Sequence, residues 1–139
     1  MDTALRIAML VEEGKKRIIS SGDWLTAGEL SELTAQTVDE LKAKVYRLMS
    51  EGRIFAISYE GVDYFPTYAF DANGGYQPVP ALKAVIDILT TRKDDWGMAF
   101  WFGSSNSYLG GRQPKEVIRT DLAVVLEAAS DEVCGTLHG

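Results

Sequence analysis

The stretch from Trp96 to Leu122, WGMAFWFGSSNSYLGGRQPKEVIRTDL, constrains this chain more than any other part of it. Trp96, Trp101 and Phe102 crowd into seven positions, and aromatic side chains that bury about 150–250 Å² each need a core around them. A polar loop centred on Asn106 follows, then Tyr108, Leu109 and the pair Gly110-Gly111. Pro114 closes the loop and can open a helix, because a proline at the first helical position forfeits no hydrogen bond the helix would have made. The stretch predicts helix, tight loop, helix.

The succession Trp101, Asn106, Leu109, Gly110 or Gly111, Pro114 and Ile118 resembles the C-terminal toxin-binding domain of the Xre/MbcA/ParS-type antitoxins. That pattern runs tryptophan, a short gap, asparagine, leucine, glycine and a proline that starts a helix. The resemblance covers roughly residues 79–129. Many members carry a glycine after the motif helix, where this chain reads Thr120-Asp121-Leu122. The resemblance implies a domain that neutralises a cognate protein toxin of the RES type, which degrades NAD, and a pair that represses its own operator DNA. Trp101, Asn106, Leu109, Gly110, Gly111, Arg112 and Pro114 are then the candidate partner contacts. His138 joins them if the C-terminal tail, residues 133–139, reaches into the toxin's site.

With 139 residues, 46% of them hydrophobic, the chain can build one domain or two small lobes. Its net charge of −6 is uneven: eight Lys or Arg face nine Asp or Glu up to Ser58, and six face eleven from Tyr59 onward. An acidic C-terminal half suits a cationic protein partner and repels nucleic acid, so any DNA contact falls to the N-terminal half. The same charge also serves as a plain solvated surface. Cys134 is the sole cysteine, which excludes an internal disulfide and a cysteine zinc site. No apolar run approaches the length of a membrane span, and charges interrupt the first twenty residues, so a cytoplasmic protein with no membrane partner is expected.

Along the chain, Thr3 to Ser21 predicts a helix with Ile7, Leu10, Val11, Gly14 and Ile18 on one face. Thr26-Ala-Gly-Glu29 and Thr37-Val-Asp-Glu40 are two capping signatures, each starting a helix. In the first, Leu30 and Leu33 should bury; in the second, Val38, Leu41, Val45 and Leu48 form the inward stripe. Two capped helices separated by a few residues have the sequence form of a helix-turn-helix. Thr37, Lys42, Lys44, Arg47 and Arg53 are its candidate DNA contacts, although Asp39, Glu40 and Glu51 dilute them. A packing or dimerisation role for the unit is equally open.

Residues 53–59 should then pair with Val62 to Pro66 through a turn at Glu60-Gly61, a hairpin placed as in the winged variety of helix-turn-helix. Tyr59, Tyr64, Phe65, Tyr68 and Phe70 are better read as packing than as a base-stacking surface. Asp71-Ala-Asn-Gly-Gly75 is the best boundary, dividing a helix-turn-helix-like lobe with a hairpin wing, residues 1–70, from a helical toxin-binding-like domain, residues 71–139.

In the second half, Leu82, Val85, Ile86 and Leu89 mark a one-sided helix, and Asp94 or Asp95 can cap the next. After Pro114 a helix carries Ile118, Leu122, Val125 and Ala129 in one stripe widened by Val117, Val124 and Leu126. A face that wide implies a homodimer or a bound partner. The tail from Asp131 has the composition of a disordered end.

The expected fold class is mainly α with a small β-hairpin, an α+β chain with a winged helix-turn-helix-like lobe followed by a helical bundle lobe. Enzymatic function is not expected: the single His and single Cys lie in the last six residues, no glycine-rich phosphate loop follows a strand, and no metal or cofactor signature occurs. The leading reading is an antitoxin-like protein that binds a toxin through its C-terminal half and operator DNA through its N-terminal half. The alternatives are a dimeric helix-turn-helix regulator or interaction adaptor without a toxin, and a two-lobed protein whose aromatic segment is only core.

Overall fold

A computed structural model describes residues 2–135 of the chain. The first helix, α1 (Thr3–Ile19), is capped by Asp2. A two-residue strand β1 (Trp24–Leu25) leads into α2 (Ala27–Leu33) and α3 (Val38–Ser50). Both capping boxes form: Thr26 and Thr37 each accept from the backbone of the glutamate three residues on, and Glu29 and Glu40 each return the bond. Gly52, at φ 71°, ends the turn after α3 in the left-handed region that glycine enters freely. The hairpin β2 (Ile57–Tyr59) and β3 (Val62–Pro66) turns at Glu60 and Gly61, both with positive φ, the condition for the tight hairpin turn that matches strand twist. Strand β1 lies antiparallel along the other side of β3, giving the order β1-β3-β2.

A second, two-stranded ribbon, β4 (Phe70–Asp71) with β5 (Gln77–Pro78), spans the turn residues 72–74. Four helices follow: α4 (Pro80–Leu89), α5 (Asp95–Phe102), α6 (Pro114–Val117) and α7 (Leu122–Gly135). The protein is mainly helical with a small antiparallel sheet, and among the described residues no helix is long and apolar enough to cross a membrane.

Several expectations are corrected. Leu33 is 50% and Val38 38% exposed, because α2 ends at Leu33 and α3 begins at Val38, so neither has a turn of helix beyond it to cover it. Only Ile57–Tyr59 of the predicted strand pairs; Ile54, Phe55 and Ala56 are buried as an irregular segment whose side chains fill the core. The helix after Pro114 is two helices, broken at Ile118–Asp121, where the Asp121 carboxylate accepts from Val124 N at 3.2 Å and restarts the chain. Its wide apolar stripe is thereby split, and Val117, Ile118, Val125 and Ala129 are all buried within the chain. The tail up to Gly135 is helical rather than disordered, while His138 and the end of the proposed toxin-reaching segment lie outside the described residues.

The core is one connected cluster that runs across residue 71. Phe102, fully buried, stacks on Phe55 at 5.8 Å between ring centroids and meets Tyr68 at 5.2 Å and Trp101 at 5.1 Å. Trp24 stands edge-on to both Phe55 and Tyr68. Polar links run beside it: Trp96 Nε1 donates to Ser58 O at 3.3 Å, Val79 N to Ala69 O at 2.8 Å, Arg119 to the carbonyl of Phe70, and Lys115 to Asp23.

Helix α1 departs furthest from expectation, for none of its residues is buried. The C-terminal part of its apolar stripe reaches the body, where Gly14 lies so close to the Phe100 ring that a Cβ would come within 3.1 Å of it. Lys15 sits 5.0 Å over the Trp96 ring, and the Tyr59 hydroxyl donates to Glu12 at 2.5 Å. That hydrogen bond is the main reason the Tyr59 phenol is pushed up to about 12. The N-terminal part of the same stripe, Ile7 at 55% and Leu10 at 59% exposure, runs past the body and touches nothing that covers it.

Because the aromatic cluster belongs to both halves, unfolding in urea should follow one transition by tryptophan fluorescence and by circular dichroism. Phe102→Ala should lower the unfolding free energy by about 3–5 kcal/mol, the usual loss for a buried phenylalanine. Two resolved transitions in the unaltered protein would contradict a shared core.

Candidate partner-binding surface

Helix α5 begins where the Asp94 carboxylate accepts from Gly97 N at 2.8 Å. Burial, and then the charge of Asp94, raise the pKa of the neighbouring Asp95. The sequence of α5, DWGMAFWF, is apolar almost all round, and Met98, Ala99, Trp101 and Phe102 are buried. Such a helix is a core element, so Trp101 is first of all packing.

The loop that follows is organised by Asn106. Its side chain accepts from Tyr108 N at 2.9 Å; its carbonyl accepts from Leu109 N at 3.0 Å and Gly111 N at 2.9 Å; its own N–H donates to Arg112 O at 3.0 Å. Gly110 and Gly111 both take positive φ, 67° and 89°, a pair of conformations that side chains resist. Leu109 anchors the loop in the core at 2% exposure, and Pro114, also buried, opens α6. Arg112 folds back so that its Nε donates to Leu109 O at 3.0 Å. The residues of the motif therefore build the loop, and of them Gly110, Gly111 and Arg112 are exposed to a partner.

Between α5, the serine-rich part of this loop and α7 lies a cleft of about 420 Å³, lined by Trp101, Asn106, Lys93, Asp131 and Glu132 among others. Lys93 and Glu132 bridge its edge at 2.8 Å. The Trp101 indole N–H is buried and has no acceptor, a deficit that typically costs about 1–3 kcal/mol. Beside the cleft, Tyr108 is 46% exposed and its hydroxyl lies 3.3 Å from the Glu127 carboxylate. The charge of Glu127 is the first cause of a raised Tyr108 pKa. Glu127 and Asp131, one turn apart, thus make an acidic edge on α7 next to an exposed aromatic ring, with Glu132 neutralised by Lys93.

The candidate DNA contacts do not converge in the same way. Thr37 is spent on its capping box, and Arg53 pairs with Glu51 at 3.5 Å. Lys44 and Arg47 lie on one side of α3, while Lys42 is turned about 140–160° away from them at about 100° per residue. Lys42 lies instead with Tyr46 along a groove shared with the hairpin turn, where the Tyr46 hydroxyl donates to Asp63 and ties the hairpin to α3.

Glu127 and Tyr108 escaped sequence reasoning, although their signal was present: Glu127 and Asp131 recur at i and i+4 and so share a helix face. Among the described residues no group of His, Cys, Asp and Glu could hold a metal ion. Compared with protein-family profiles, with curated proteins and with solved structures, the chain matches none.

Proposed function

We propose that this chain is an antitoxin-like protein that captures a cationic protein partner on the acidic rim of its C-terminal half and neutralises it by occlusion. The observation that carries the reading is the surface around α7, where Asp131 and the Lys93-paired Glu132 line a cleft beside the Asn106 loop and Glu127 stands with the exposed Tyr108 along a neighbouring hollow that Asp131 shares. Opposite charge would steer a basic partner to this face. The partner expected from the motif resemblance is a toxin of the RES type.

Co-expression with the adjacent reading frame of the native genome tests this. The neighbour should co-purify stoichiometrically and lose its toxicity, and Glu127→Lys combined with Asp131→Lys should weaken the complex about tenfold or more through like-charge contact. A neighbour that stays fully toxic beside this protein would remove the antitoxin reading.

A DNA-binding role for the N-terminal half has a different support. The element order α1-β1-α2-α3-β2-β3, with β1 along the free side of β3, is the order of a winged helix-turn-helix, in which α3 would enter the groove. Replacing Lys44 and Arg47, which share one side of α3, with alanine should weaken operator binding across all sequences. The log-log salt slope should then flatten by about 0.9 for each phosphate that the protein no longer neutralises. An unchanged slope would assign α3 to protein packing.

A second copy of the chain is the partner we assign to the bare half of α1. An antiparallel pair of α1 helices about a two-fold axis between Met9 and Leu10 sets Leu10 against Leu10 and Ile7 against Val11. On one flank it faces Arg6 with Glu13. This is self-complementary in shape and in charge, as an isologous contact requires. Light scattering should report a dimer, and Leu10→Glu should give a folded monomer; a monomeric unaltered protein would rule the pairing out.

A further inference from the structure

A second cavity, of about 310 Å³, opens between α1, α5 and the start of α6. One wall is apolar, made by Ile18, Trp24, Ala99 and Phe100. The other is polar. Lys115 and Asp23 form an ion pair there, with side chains only 20% and 29% exposed. Arg17 stands at the mouth, with no ion-pair partner among the described residues.

Tyr68 also lines this cavity, and its hydroxyl is buried with no hydrogen-bond partner. Its ring is held from three sides by Trp24, Phe55 and Phe102, so the hydroxyl has no freedom to swing out to solvent. Burial first, and the Asp23 charge second, keep the phenol protonated well above neutral pH, which leaves it a donor. A buried hydroxyl bonded to nothing is uncommon in a folded protein, and here it belongs to a residue that lines a space of the size of a small-ligand site.

We propose that this cavity binds a small aromatic monocarboxylate. Arg17, Lys115 and Asp23 carry a net charge of one positive, which a single carboxylate balances. The flat body of the ligand lies along Trp24, Ile18 and Phe100, and the Tyr68 hydroxyl donates to a ligand oxygen. Phe100 and Ser104 line both this cavity and the partner cleft, so the ligand sits behind the wall of that cleft. The inference stands on the cavity alone and holds whether or not a toxin is the partner.

Thermal melting with benzoate and with indole-3-acetate as probes, against neutral benzamide as control, tests the site on the full chain. At least one of the two carboxylates should raise the melting temperature, and benzamide should not. Tyr68→Phe should leave the free protein as stable as before or more so, because it deletes an unpaired buried polar group. The same substitution should weaken carboxylate binding about ten- to a hundredfold, the worth of one hydrogen bond to a charged group. Arg17→Ala, at a solvent-facing position, should weaken it as well and should narrow the difference from benzamide. Neither carboxylate binding would overturn the proposal. So would equal binding of benzamide, or affinities unmoved by both substitutions.

Discussion

The stack of Phe102 on Phe55, with Tyr68 tilted against both and Trp24 closing the group edge-on, joins the helical C-terminal half to the small sheet. Everything that carries functional interest is placed by it. Phe102 is the last residue of α5, so fixing its ring fixes where α5 ends and the Asn106 loop begins. Tyr68 lies in the single turn after β3, so the same contact sets its side chain in the wall of the cavity under α1. Aromatic pairs at these separations add about 0.5–1.5 kcal/mol each beyond the area they bury.

Two cavities share Phe100 of α5 and Ser104 just beyond it, and each is lined by one residue whose buried polar group has no partner, Trp101 with its Nε1 in one and Tyr68 with its Oη in the other. The core contains no other buried polar side chain lacking a partner among the described residues. Unpaired groups of this kind are costly to keep, and both belong to residues that line an opening. The bare half of α1 belongs to the same pattern: an apolar stripe that covers the body at Gly14 and Ile18 and then continues beyond it.

Much of the architecture was legible in the residues because it follows from short-range physics. Capping boxes at Thr26 and Thr37, the two-residue turn at Glu60-Gly61, the stripe from Leu82 to Leu89 and the proline start at Pro114 all depend on residues a few positions apart. So did the Asn106 loop, whose asparagine, glycines and proline each answer a local backbone demand. Errors came where an apolar residue was assumed covered because it lay on a stripe: Leu33, Val38, Ile7 and Leu10 lie on such stripes and remain exposed. Periodicity names a face and is silent on whether anything lies against it. The break at Ile118–Asp121 was missed for a related reason, since Ile118 and Leu122 keep helical spacing across it while Asp121 restarts the chain.

By itself the sequence determined the mainly helical class, the hairpin, the places where helices begin, and the acidity of the second half, because each is set by neighbours along the chain or by composition. Only the tertiary structure decided which polar groups meet. Lys115 and Asp23 are 92 residues apart, Arg119 and Phe70 are 49 apart, and Tyr59 and Glu12 are 47 apart. No local pattern marks such pairs, because their contact exists only once the chain has packed: the first two cross between the halves that the aromatic cluster joins, and the third ties α1 to the hairpin within one half.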